Sequence, residues 1–437
     1  MSHKLSFPWG SESIDLELPE TWTLLGNMEP ASRAGIDDPH AETEAALSAP
    51  FGSPRLAELA AHGMKIALVI DDDSRPTPVK DILPAVAREL QESGAALSQV
   101  TVVPALGVHR PMTEEEIARR LGEGWLEQMN WVQHDCDDPE KLVYLGDTSR
   151  GTPVWFNKTV AEADLIISIG CIEPHIIASF GGGYKNLLPG VAARQSIAHN
   201  HAINCQPETF NMVGQPIENN PMRLDLEEAG AMLKAPVFVI NAVLNSAMQV
   251  VRIVAGDPIQ AHREGARTSA EIFGCPLPRL ADVVITASRP MDQDLRQGVK
   301  ALANTIRALK PGGVMITLIR AEEGVGVFGL ANRKLPVGKT MLRLLAPLLL
   351  PRIGKLNLKG MGEEDRFFLY FALQAMLHGK LLLYAPTIPA EIHERMPFVE
   401  FVHSPQEALK LAMKKYPAKA DVVVFPYGGS SYPILPD

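Results

Sequence analysis

Cysteine is scarce and scattered in this 437-residue chain: Cys136, Cys171, Cys205 and Cys275 stand far apart, with no CxxC pair. That spacing excludes a disulfide framework and a zinc knuckle, and it suits a reducing compartment, the cytoplasm. Positive charge is in deficit. Lys and Arg number 41 against 51 Asp and Glu, a formal net charge of −10, which argues against a general nucleic-acid binder because affinity for phosphate backbones rests on basic surface. Long apolar runs are missing. The most apolar stretch, Met341 to Pro351, carries Arg343 and Pro347 and falls short of the ~20 residues a membrane helix needs, so it reads as a buried helix or a homo-oligomer contact. The N-terminus turns polar by Gly10-Ser11-Glu12 and lacks a signal-peptide core. Absent too are HExxH, a GxGxxG after the first strand, a GxxxxGKS/T loop and a defensible Ser-His-Asp set, so ordinary dinucleotide binding and nucleotide hydrolysis find no support.

What remains is a chain with 46% hydrophobic residues, enough for two or three domains with real cores. Short apolar, β-branched runs alternate with helical patterns. Met64–Ile70, Val100–Ala105 and Asp164–Gly170 are expected strands, with helices near Val79–Ser93 and from Thr113 onward. Val237–Val243 and Gln249–Gly256 read as adjacent strands in antiparallel arrangement. Gly and two prolines in Phe273-Gly274-Cys275-Pro276-Leu277-Pro278 mark a boundary. Beyond it a second alternating series begins, with strands at Ala281–Thr286, Gly313–Ile319, Lys380–Tyr384, Phe398–Val402 and Ala420–Phe425. The expected fold is therefore α/β, two doubly wound Rossmann-like domains with a cleft between them. Residues 1–274 form the N-terminal domain and 275–437 the C-terminal one, whose last residues can return to the first.

In such sheets the polar loops at the carboxyl ends of the strands form the binding crevice. Asp72, Arg75, His109, His175, Lys185 and His201 fall in those loops. Taken singly, an aspartate ahead of a helix is often only an N-cap, and a loop histidine is usually solvated. Three histidines that topology brings to one crevice are harder to treat as independent. Two imidazoles flanking a small substrate can each take or return a hydroxyl proton, and a third can ligate a transition metal. Gly181-Gly182-Gly183 lets the backbone approach a bound group, and Lys185 beside it serves as a point charge or a nucleophile. His199 and His201 are read as part of an extended segment, with one of them at most facing what Lys185 holds. In the second series Gln297 and Lys300, three apart at a helix start, share a face. They read either as a solvated helix end or as a polar pair closing on a ligand.

Five separated motifs, in order, carry a resemblance over nearly the whole chain. Asp72-Asp73-Ser74-Arg75-Pro76-Thr77-Pro78, Ala105-Leu106-Gly107-Val108-His109-Arg110-Pro111-Met112-Thr113, Pro174-His175 through Lys185 to Leu188-Pro189-Gly190, His199-Asn200-His201, and Gln297 with Lys300 together resemble the lactate racemase family, the nickel-pincer-nucleotide enzymes. The resemblance implies a racemase or epimerase of 2-hydroxy acids that works by hydride transfer. Its cofactor would be a pyridinium-3-thioamide-5-thiocarboxylate mononucleotide holding nickel, loaded by cofactor-synthesis enzymes that bind transiently. It also implies roles. Lys185 would be the covalent attachment point, with Asp72, Gly182 and Gly183 around the cofactor, and His201 the protein's nickel ligand. His109 and His175 would be the two bases, Arg75 the partner of the substrate carboxylate, and Gln297 with Lys300 further substrate contacts. Arg296 stands where lactate-type members tend to carry an aromatic residue, which opens malate-like or sugar-acid substrates. Two other readings stay open: a non-catalytic protein that binds or delivers the pincer nucleotide, and a same-fold enzyme using another metal.

Overall fold

The computed structural model describes residues 3–326, 328–331, 338–353 and 363–435. Among them two six-stranded sheets carry the architecture. Their strands, in chain order, are β1 Thr23–Asn27, β2 Ile66–Asp71, β3 Val100–Ala105, β4 Asn130–Trp131, β5 Leu165–Cys171, β6 Val237–Leu244, β7 Val250–Gly256, β8 Ala281–Ala287, β9 Leu309–Leu318, β10 Lys380–Tyr384, β11 Glu400–Phe401 and β12 Asp421–Phe425. The helices used below are α1 Val79–Glu92, α2 Glu114–Leu121, α3 Arg194–Ile203, α4 Pro221–Ala231, α5 Gln260–Phe273, α6 Leu295–Gly298, α7 Lys300–Thr305 and α8 Lys339–Ile353.

Chain contacts divide the protein into two compact units. One comprises Ser32–His201 and Pro216–Ile272; the other comprises Met1–Ala31, Ala202–Gln215 and Phe273–Asp437. The break at Ile272–Phe273 falls beside the boundary expected at 274/275. The segments 1–31 and 202–215, expected in the N-terminal domain, cluster with the C-terminal residues instead. For the first of them the reason is visible. β1 adds in parallel to β12, and Leu5, Phe7, Leu16, Leu18 and Trp22 bury themselves in the core formed around β8, β9 and β12. The last described strand, Tyr432–Ile434, pairs with Gly274–Pro276 in that same unit.

The first unit has sheet order β7-β6-β5-β2-β3-β4. It is parallel except for β7, which runs antiparallel to β6 as the sequence suggested. Every residue of β2 and β5 is buried. Helices or loops therefore cover both faces, which is why these strands read as unbroken apolar runs rather than alternating ones. α1 turns Val79, Ile82, Leu83, Val86 and Leu90 inward, the spacing of one helical face. The second unit is a parallel sheet of order β11-β10-β9-β8-β12-β1. Its expected helix over 296–309 is broken into α6, α7 and a short turn Ile306–Ala308. The apolar run 341–351 lies in α8, which buries Leu342, Ala346 and Leu350 and exposes Met341, Leu344 and Leu348.

Candidate active site

The parallel register sets Ile70 beside Ile169 and Asp71 beside Ala105, so the loops that follow β2, β3 and β5 leave the sheet at one level. Asp71 itself is an anchor. It is buried, accepts from Thr77 Oγ1 and Arg120 Nη2, and burial pushes its carboxyl above the ordinary range against the opposing charge of Arg120. Arg120 also donates to the Asp71 and Arg75 carbonyls, at 2.6 and 3.2 Å. The loop carrying Asp72 and Arg75 is thereby tied to α2, a helix opened by a Thr113–Glu116 capping box.

Asp72 meets His109 directly: its Oδ2 lies 2.6 Å from Nδ1. Burial alone would raise this carboxyl, but the hydrogen bond and charge of His109, with help from Ser74 and Arg75, outweigh it and bring it to about 2. An ionised carboxylate only accepts, so His109 Nδ1 must donate, and in the neutral imidazole Nε2 then keeps its lone pair. The His109 loop is bound in turn to the lysine loop, because Gly107 N donates to Gly190 O at 2.8 Å. Gly190 fits there for want of a side chain; a Cβ would stand 2.1 Å from Asn186 O.

Arg75 is ion-paired with Glu173. Burial opposes its charge, yet Glu173 and the neighbouring acidic groups hold its proton more firmly than in water. Two residues on, His175 sits in a small hairpin in which Pro174 pairs with Phe180 and His175 with Ser179. Its Nδ1 accepts from Ile177 N at 3.3 Å and Ala178 N at 3.2 Å.

Lys185 lies half-buried in the one-turn helix Gly183–Asn186. Gly182 and Gly183 have φ of +76° and +60°, and a Cβ on them would come within 2.6 Å of Ile172 and 2.7 Å of Arg223. The glycines therefore have a packing reason that the sequence did not disclose: they pass over buried protein atoms. Gly183 N donates to Asn241 Oδ1 at 2.8 Å. Fully buried Arg223 donates to Gly182 O through both Nη atoms, at 3.2 and 3.1 Å. Glu227 pairs with Arg223 and Arg263. His262 donates from Nε2 to Gly181 O at 2.8 Å, and burial, then the two arginine charges, holds it neutral.

The segment around His201 is the helix α3, not the extended chain expected. Residues two apart diverge by about 200° on a helix, whereas in an extended segment they would share a face, so it is the helix that leaves His199 exposed while His201 is buried. Asn200 beside it donates to Asp225 at 2.8 Å, and that buried carboxylate also accepts from Thr148 and Thr152 at 2.6 and 2.7 Å. Arg296 and Gln297 lie on α6, capped by Asp294, and Lys300 opens α7. All three belong to the other compact unit. Among the described residues no three His, Cys, Asp or Glu side chains are grouped to hold a metal. Glu173, Asn220, Arg223, Asp225 and His262 escaped sequence reading because nothing in their local pattern marks them. Asn241, a lone amide inside the apolar strand β6, was the one visible signal.

The lactate racemase N-terminal domain matches residues 9–211. Lactate racemase of Thermoanaerobacterium thermosaccharolyticum is 31% identical over 328 residues, 74% of this chain and 75% of that protein. Lactate racemase of Lactiplantibacillus plantarum is 29% identical, covering 88% of each. The solved structure of the T. thermosaccharolyticum lactate racemase apoprotein superposes with a TM-score of 0.84 at 27% identity, over 100% of both chains. A Thermotoga maritima protein, at 18% identity and a TM-score of 0.64, shares the fold. The chain belongs to the lactate racemase family.

Proposed function

We propose that this protein racemises or epimerises a 2-hydroxy acid with a nickel-pincer nucleotide bound through Lys185. The observation that carries the reading is the 2.6 Å contact of Asp72 with His109, which engages Nδ1 and leaves Nε2 as the basic nitrogen of the neutral ring. When bound, the cofactor supplies hydride acceptance and return at the substrate α-carbon. The chain's own groups do the rest. His109 Nε2 takes the hydroxyl proton, and His175 serves the substrate oxygen from the other face. Arg75 receives the carboxylate with donors of its fork beyond the one engaged by Glu173. Lys185 provides the tether. His201, an imidazole buried in α3, suits a soft-ligand nickel that lacks one donor. Gln297, Lys300 and Arg296 are assigned to substrate, with Arg296 selecting a second carboxylate or a polyhydroxy chain. Family membership supports an enzyme acting on a small molecule, and the proposal places it in the cytoplasm.

The test is a panel of enantiopure 2-hydroxy acids followed by loss of optical activity, using protein made alongside the cofactor-synthesis enzymes. Intact mass reports the Lys185 adduct. His109→Ala and His175→Ala each abolish turnover while the adduct persists. Racemisation surviving in the double variant, or Lys185 without an adduct in active protein, sinks the assignment.

A further inference from the structure

The two histidines are held in different ways. Resting on the racemase reading of the site, we propose that Asn220 is a positioning residue that locks His175 as the neutral Nε2–H tautomer, making His175 a hydrogen-bond donor where His109 is a base. A backbone amide can only donate, so the Ile177 and Ala178 N–H groups at 3.3 and 3.2 Å make His175 Nδ1 an acceptor. Its one proton then resides on Nε2. His109 is the reverse, since its Nδ1–H donates to the Asp72 carboxylate.

The turn that presents those amides is built and clamped. Ser179 adopts φ +63° without being glycine, a conformation that persists only where the surroundings impose it. Asn220, fully buried, imposes it. Its Nδ2 donates to Ile177 O at 2.7 Å and to Ser179 Oγ at 3.0 Å, bracketing the residues whose N–H groups face His175. Its Oδ1 caps α4 through Arg223 N at 3.2 Å, so the clamp is itself fixed to a helix. For His175 to accept a proton at Nε2, its existing proton must leave that atom and Nδ1 must be protonated against two amide hydrogens. The hairpin or the ring has to move first. The two faces of the substrate are consequently served unequally: one by a histidine ready to accept, the other by one ready to donate.

Tautomers are read on the apoprotein, without cofactor or turnover, so this proposal can fail while the racemase reading stands, and the reverse. Long-range proton–nitrogen NMR spectra of histidine-labelled protein, assigned with His109→Gln and His175→Gln, are expected to show Nδ1–H at His109 and Nε2–H at His175. Asn220→Asp keeps the helix cap and replaces the donating amide by an acceptor. In that variant the His175 signals should move to a mixture of tautomers while His109 stays unchanged. A protonated Nδ1 at His175 in the parent protein overturns the proposal, and this reading does not depend on whether the variant folds. A folded Asn220→Asp protein with His175 unaltered overturns the clamp.

Discussion

At the scale of the residue, Asp72 has the most to lose. An amide in its place can donate to His109 Nδ1, sending the proton to Nε2, so Asp72→Asn should lower racemisation on the order of 10²–10⁴-fold with the Lys185 adduct intact. The same carboxylate contributes to stability. Its folded-state pKa of about 2 lies below the ordinary 3.8, so the contribution, roughly 2 kcal/mol, is complete above pH ~4 and drains as pH falls through about 2. Urea unfolding of the parent and Asp72→Asn proteins from pH 7 to 2 should show a gap that closes over that window; a gap constant with pH contradicts the pairing. Asp72 and His109 were legible in the sequence because each follows a recognisable strand. Glu173, which pairs with Arg75, was not: a carboxylate in a loop has many partners to choose from until the fold excludes most of them.

At the scale of the element, the glycine turn before Lys185 is held from behind. Gly183→Ala places a methyl group 2.7 Å from Arg223 Nη2 and 2.9 Å from Pro258 O, at φ +60°. A buried guanidinium bound to Glu227 cannot step aside, so the variant should lose at least about 1–3 kcal/mol in urea unfolding. Gly94→Ala, at φ +81° with nothing within 4 Å, is the control for backbone strain alone and should lose less. Equal losses would remove the packing argument. Helix α3 shows where periodicity gives out. Residues two apart share a face in a strand and diverge by about 200° in a helix, so the separation of the histidine pair into buried and exposed members comes from the helix, and an extended segment would have set both on one side.

At the scale of the whole molecule, the C-terminal sheet depends on the N-terminal residues. β1 pairs with β12, and Leu5, Phe7, Leu16, Leu18 and Trp22 complete the same core. A 273–437 fragment exposes that apolar surface and should lack a cooperative thermal transition by circular dichroism, whereas joining residues 1–31 to it should improve folding. A fragment that melts sharply without them would show the core to be sufficient on its own. Such a partner strand is hard to foresee. Thr23–Asn27 has the β-propensity of many short edges, and its partner is the distant β12, beside which Trp22 Nε1 donates to Tyr416 O, 394 residues on in the chain.

The alternation of strands and helices, the two largely parallel sheets, and the loops bearing Asp72, His109, His175 and Lys185 all follow from local pattern, because periodicity and turn residues act over a few neighbours. Tertiary structure alone decided the pairing of Arg75 with Glu173, the Arg223 and Asn220 supports, and the assignment of residues 1–31 to the C-terminal unit. Those choices rest on burial, where a charge or amide must find its partner wherever the packed chain offers one. The glycine–lysine turn shows both: its residues mark it in the sequence, while the reason it holds its shape lies in side chains tens of positions away.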